Sequence, residues 1–197
     1  FVQPSPPEKL DVLIVLDTSG SMNDNFQQVS TGVELLRGDI EKITLDYKIG
    51  FINSGLVNPY YAGPYDYNSD SIDFLLAPYA LGADWYERAF QSMYEFVTNT
   101  PDGAAFFRED ADKLIIFVSD EDEQGSIPTS IFHDWLVEKF EEVQHDVVAI
   151  VQIENGECPL NWEYDIGQKY IDLVAYYGKV GIDICSDWEA WLADSTF

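Results

Sequence analysis

The stretch Leu10-Asp11-Val12-Leu13-Ile14-Val15-Leu16-Asp17-Thr18-Ser19-Gly20-Ser21 decides how the rest of the chain is read. From Leu10 to Leu16 it is apolar apart from Asp11, rich in Val and Ile, and too short to be a helix of its own. An apolar run without alternation marks a strand buried on both faces, the kind found in parallel sheets. The run ends abruptly in a polar turn, Asp17 to Ser21. Beyond it Phe26, Val29, Val33, Leu36 and Ile40 recur at helical spacing and predict an amphipathic helix over Asn25 to Asp39.

The same alternation continues outward. Tyr47 to Asn53 reads as a second strand. Ser54 to Ser71, with Gly55, Pro59, Gly63 and Pro64, reads as a long irregular segment. Ile72 to Leu76 reads as a short strand, antiparallel at one edge. Tyr86, Phe90, Met93 and Val97 predict a helix that stops before Pro101. Lys113 to Ser119 is a second fully buried strand, closed by Asp120. A helix over Thr129 to Gln144, with Ile131, Trp135, Phe140 and Val143 inward, leads to a strand over Asp146 to Ile153. A helix over Asp165 to Tyr177, a short strand over Val180 to Ile184 and a helix over Asp187 to Ala193 complete the chain. Strands alternating with helices predict an α/β fold, a mostly parallel sheet covered on both faces.

A length of 197 residues suits one such domain. Residues 1–9, Pro-rich from Pro4 to Pro7, read as a linker, and 10–197 as the domain. A start at Phe1 with no Met reads as a processed product or a fragment of a longer protein. No apolar run approaches the ~20 residues that span a bilayer, and no basic segment with an apolar stretch behind it opens the chain. Ten basic residues face 36 acidic ones, a formal net charge of −26. That field repels nucleic acid and anionic lipid, so neither nucleic-acid binding nor direct membrane insertion is expected. It favours cations and basic partners, although a merely solubilising surface has the same composition.

Two buried strands end in carboxylates, Asp17 and Asp120. In an open α/β sheet, ligands bind beyond the carboxyl ends of the strands where strand order reverses. If these two strands are neighbours there, both carboxylates meet in one crevice, and Ser19 and Ser21 add hydroxyls. Such an all-oxygen set suits Mg²⁺, Mn²⁺ or Ca²⁺. The other reading of the two Asp residues is helix capping and turn formation. Two His residues and two widely spaced Cys residues argue against a zinc site.

Asp17-Thr18-Ser19-Gly20-Ser21 behind a buried strand resembles the D-x-S-x-S motif of von Willebrand factor A (vWA) domains, which opens their metal-ion-dependent adhesion site (MIDAS). Asp120, after Phe117-Val118-Ser119, is similar to that family's second metal-site Asp. The resemblance implies a doubly wound sheet with one antiparallel edge strand, over nearly the whole chain. It implies a divalent cation, Mg²⁺ or Ca²⁺, held by Asp17, Ser19, Ser21 and Asp120. Gly82-Ala83-Asp84 precedes Ala89-Phe90 where the family carries a Thr, so Asp84 stands in that Thr's place. Three carboxylates then set −3 against +2, a net −1 that disfavours an acidic partner group and favours a neutral or basic one.

The resemblance also gives the cysteines a reading. Some bacterial surface members carry a Cys in the loop corresponding to Cys158 and another in an Ile-Cys-x-x-Trp context like Ile184-Cys185-Ser186-Asp187-Trp188. A Cys158–Cys185 disulfide, and an extracellular, cell-surface or virion-exterior location, are what this implies. Tyr60, Tyr61, Tyr65 and Tyr67 belong to a loop that the family's topology puts at the metal end of the sheet. They read either as a ligand-binding surface or as side chains that pack the loop on itself. Glu121-Asp122-Glu123 reads as a solvated loop; His133 and His145 carry no assigned role.

The function expected is a metal-dependent binding or adhesion module with a protein or glycan partner, and not an enzyme, as one domain of a larger protein or assembly. A haloacid-dehalogenase-like phosphatase needs a second Asp where Ser19 stands. A structural scaffold whose metal only stiffens loops is the alternative.

Overall fold

The computed structural model describes residues 7–55, 59–153 and 165–188. In chain order these form β1 (Leu10–Leu16), a 3-10 turn (Gly20–Asp24), α1 (Phe26–Ile40), β2 (Tyr47–Asn53), β3 (Tyr61–Tyr65), α2 (Ser71–Ala80), α3 (Ala89–Asn99) and α4 (Pro101–Phe106). Then come β4 (Asp112–Ser119), α5 (Thr129–Lys139), β5 (His145–Val151), α6 (Gln168–Tyr176) and β6 (Ile182–Asp183). The sheet order is β3-β2-β1-β4-β5-β6. β1 pairs parallel with β2 and β4, ending Leu16 opposite Asn53 and Val118. β5 and β6 continue the parallel set, and β3 alone runs antiparallel, at one edge.

The unbroken apolar runs follow from this layering. Val12, Ile14 and Leu16 of β1 face one core with Val29, Val33 and Leu36 of α1 and Phe74 and Ala77 of α2. Leu13 and Val15 face a second core with Phe90 and Met93 of α3, Phe132 and Leu136 of α5, and Tyr170 and Leu173 of α6. Both pleat directions are buried, so both are apolar except where a charge is paired.

The element expected as the antiparallel edge strand is corrected. Ile72 to Leu76 lies in α2, and the edge strand is Tyr61–Tyr65, inside the stretch expected to be irregular. The Asp73 carboxylate accepts the Asp70 N–H at 3.2 Å, a helix-start contact that a five-residue apolar window does not reveal. β3 tolerates Gly63 and Pro64 because an edge strand has one side free of ladder bonds. Gly63 takes φ +129°, and a Cβ there would sit 3.0 Å from Ile49 O of β2, so only Gly fits. Pro101 begins α4 as well as ending α3, with Thr100 Oγ1 accepting the Gly103 N–H at 2.9 Å. α5 buries Phe132 and Leu136 and leaves Ile131 exposed, one residue out of the expected phase. Of the expected last helix only Asp187 and Trp188 are described, and Trp188 is buried.

At the amino end of the strands the one charge in β1 is matched. Asp11 is fully buried. Its Oδ1 accepts Arg108 Nε at 2.8 Å and lies 2.7 Å from Arg108 Nη2, and its Oδ2 accepts the Arg108 N–H at 2.6 Å. Lys113 Nζ lies 3.5 Å from Asp11 Oδ2 and donates to the carbonyls of Arg108 and Ala111. Arg108 also pairs with Asp46.

Candidate functional site

β1 and β4 are neighbours, and their onward connections leave in opposite directions, β1 toward β2 and β4 toward β5. The crevice at such a switch point opens at the carboxyl ends. The Asp17 N–H donates to Val118 O at 2.9 Å, carrying the β1–β4 pairing one residue past β1.

From Asp17 a continuous hydrogen-bonded chain crosses to Asp120. The Ser19 N–H donates to Asp17 Oδ1 at 2.8 Å, the hydroxyls of Ser19 and Ser21 lie 2.9 Å apart, and Ser21 Oγ donates to Asp120 Oδ1 at 3.1 Å. Ser119, not anticipated from the sequence, donates its hydroxyl to Asp17 Oδ2 at 2.6 Å. Asp84 stands at the rim. Its N–H donates to Thr18 O at 3.3 Å, and its Oδ1 accepts the Trp85 N–H at 2.6 Å. Gly55 makes room for it, since a Cβ there would fall 2.2 Å from the Asp84 carboxyl carbon.

Buried oxygens here without a hydrogen-bond partner include Asp84 Oδ2, Asp120 Oδ2, Thr18 Oγ1 and Glu87 Oε2. Buried polar atoms are rarely left so. Burial raises the Asp17 carboxyl, with Asp84 adding to the effect against the hydrogen bonds from Ser119 and Ser19. Burial, then Asp17, lifts Asp120 to about 7. Burial, then Asp17 and Glu121, lifts Glu87 to about 8. Glu87, like Ser119, is a residue that sequence reasoning missed, because a Glu between Tyr86 and Arg88 shows no sign of burial. A divalent cation would supply the opposite charge these carboxylates lack, and the donors are all oxygen, so the set fits a hard ion. Among the described residues no three acidic, His or Cys side chains converge enough to cage an ion by themselves. The rest of an ion's shell would therefore come from the serine hydroxyls and water.

Glu121-Asp122-Glu123 is not a solvated loop. Glu123 is buried, with Oε2 accepting the Phe90 N–H at 3.0 Å and Oε1 the Gly125 N–H at 2.7 Å. Asp122 Oδ1 accepts the Lys169 N–H at 2.8 Å. Two of the three acids thus satisfy free amides in the first turns of α3 and α6.

The four tyrosines do not act as one loop at this end. Tyr60 is there, its N–H donating to Asn53 Oδ1 at 2.8 Å. Tyr61 packs on Phe96 and Phe106, and Tyr65 on Phe51 and Phe74, on opposite faces of β3. Tyr67 lines a hollow with Asp46, Lys48 and Arg108 at the opposite end of the sheet. An antiparallel strand carries its chain away from the site, which is why the group divides. Cys185 follows β6, half-buried, with Sγ 2.9 Å from Gln152 Oε1. Cys158 lies outside the described residues.

No family model matches this chain, and no curated protein matches it. Solved structures do. Proximal thread matrix protein 1 from the mussel byssus is 14% identical with a TM-score of 0.66, over 94% of this chain and 47% of that one. A structure of that mussel protein with a zinc-occupied MIDAS motif is 15% identical with a TM-score of 0.56, over 86% of this chain and 40% of that one. A von Willebrand factor type A structure from Catenulispora acidiphila is 15% identical with a TM-score of 0.56, over 94% of this chain and 42% of that one. The chain spans less than half the length of each. At such identities the likeness establishes the fold: a vWA-type, doubly wound, mostly parallel sheet with one antiparallel edge strand and helices on both faces.

Proposed function

We propose that this domain is a metal-dependent binding module, not an enzyme, that recognises a protein or glycan partner through Mg²⁺ or Ca²⁺ held at Asp17, Ser19, Ser21 and Asp120, with Asp84 at the rim. The observation that carries this reading is the hydrogen-bonded chain from Asp17 to Asp120 at the switch point, flanked by buried carboxylate oxygens without partners. Two serine hydroxyls joined to each other and to an acid supply neutral oxygens that a hard cation could use, which supports the binding reading. His133 stacks on Tyr176, and His145 begins β5 at the far end of the sheet. The mussel protein with zinc in its MIDAS motif supports the same use of the fold.

The test is calorimetry with Mg²⁺ or Ca²⁺ alone, followed by capture from matrix or host extracts on the immobilised domain. Saturable cation binding is expected, together with a captured partner that chelator releases and that an Asp17→Ala domain does not retain. A cation that raises the melting temperature but recruits no releasable partner would leave the loop-stiffening role instead.

Location at a cell surface, in an extracellular matrix or on a virion exterior is part of the proposal. The byssal origin of a structural neighbour supports it. So would a Cys158–Cys185 bridge, which closes a loop of roughly 28 residues and stabilises the fold by about 3–4 kcal/mol. Peptide mapping without reductant should recover the two cysteines in one cross-linked fragment. Two alkylated thiols would remove the bridge and this support for an oxidising compartment.

A further inference from the structure

The segment joining α2 to α3 buries every third residue and exposes the two between. Leu81, Asp84 and Glu87 are buried, while Trp85 is 84% exposed and Tyr86 58% exposed. An exposed Trp is unusual, and large aromatic side chains are the commonest anchors of protein interfaces. Trp85 is not on a slack loop. The backbone is tied by Asp84 N–H to Thr18 O at 3.3 Å, by Gln124 N–H to Glu87 O at 2.5 Å, and by Arg88 N–H to Ser54 O at 2.9 Å. Arg88 Nη2 adds a bond to Gly55 O at 2.7 Å. The backbone beneath the ring is already fixed, so binding need not order the loop that carries it. On the other side Tyr60, 56% exposed, lies across Gly82, where a Cβ would be 3.4 Å from its ring.

We propose that Trp85, Tyr86 and Tyr60 form an aromatic rim that docks a Lys- or Arg-rich protein segment. Two observations select a cationic partner. The rim already receives a guanidinium, since Arg88 sits 5.0 Å from the Tyr86 ring centroid. The surrounding field is negative, with the Asp84 carboxylate bonded to the Trp85 N–H and Glu121 close to Glu87, on a chain of net charge −26. A cation gains from both the ring faces and the field, an acidic segment is repelled, and a neutral sugar gains nothing from the field. The rim needs no metal, so the inference stands apart from the function proposed above.

The test uses a short fluorescent peptide of alternating Arg and Gly, its Glu–Gly counterpart and a neutral oligosaccharide, titrated against the full chain by anisotropy and competition. The Arg peptide should bind, more weakly as salt rises, and the Glu peptide should not. Trp85→Ala should weaken Arg-peptide binding by about 10-fold without lowering the melting temperature, and Trp85→Phe should recover most of it. Chelator should not weaken that binding, since removing a cation from the carboxylates can only deepen the negative field beside Trp85. Equal affinity in wild type and Trp85→Ala would overturn the proposal. So would loss of peptide binding with chelator, or Trp85-dependent binding of the oligosaccharide without the Arg peptide.

Discussion

Asp11→Ala is expected to lower the free energy of unfolding by about 3–5 kcal/mol, a large part of the roughly 5–15 kcal/mol that a domain of this size has. The loss arises less from the attraction removed than from what is left behind. Arg108 Nε and its backbone N–H lose their acceptor, and buried Lys113 loses its nearest carboxylate. Burial already pushes the Lys113 ammonium down, against the support of Asp11, so the variant would hold that charge less well still. Urea denaturation should show a lower midpoint at unchanged slope. Replacing Asp11, Arg108 and Lys113 together by Leu or Met should recover most of the loss, because apolar packing can substitute for a buried ion cluster. A loss below about 1 kcal/mol for Asp11→Ala would mean that water reaches the cluster and screens it.

Asp17→Ala should weaken Mg²⁺ or Ca²⁺ binding by at least about 100-fold, since one unit charge at ~5 Å and an effective dielectric of ~20 is worth roughly 3 kcal/mol per unit of ion charge. The metal-free variant should still unfold cooperatively, because the surrounding acids repel Asp17 as well as one another. In the wild type the ion must displace protons from carboxyls that burial holds high, Asp120 at about 7 among them. Affinity should therefore rise with pH between about 6 and 8, with protons released on binding. The signs agree. A carboxyl raised in the folded state favours the metal-free fold at low pH, and that contribution fades as pH climbs through its folded value. Calorimetry in buffers of different ionisation enthalpy measures both quantities. Equal affinity in wild type and variant would put the ion elsewhere.

Most of the fold was legible because its signal is local. β1 and β4 announce themselves as apolar runs closed by Asp, and burial of both faces leaves no other pattern for them. β3 and α2 were exchanged because each is marginal by local criteria: Gly63 and Pro64 argue against a strand, Pro78 against a helix. What decides them is tertiary, the free edge beside β2 and the packing of Phe74 and Ala77 beside α1. The site divides in the same way. Asp17, Ser19, Ser21 and Asp120 are joined as their spacing suggested. Glu87 and Glu123 were invisible because only the arrangement of α3, α6 and the loop after β4 determines that a Glu in a polar run is buried.

That loop bears on any attempt to make the domain less acidic. A designer lowering the negative charge to ease crystallisation or reduce ionic retention would count Glu121, Asp122 and Glu123 with Glu109, Glu141 and Glu142, since all six look alike in sequence. They are not interchangeable. Glu109, Glu141 and Glu142 are exposed and can be exchanged for Gln or Lys at little cost. Glu123 and Asp122 hold backbone amides of α3 and α6, and removing them strips those amides of acceptors that water cannot fully replace. Part of this chain's acidity is solvent coat and part is joinery, and only the first can be traded away.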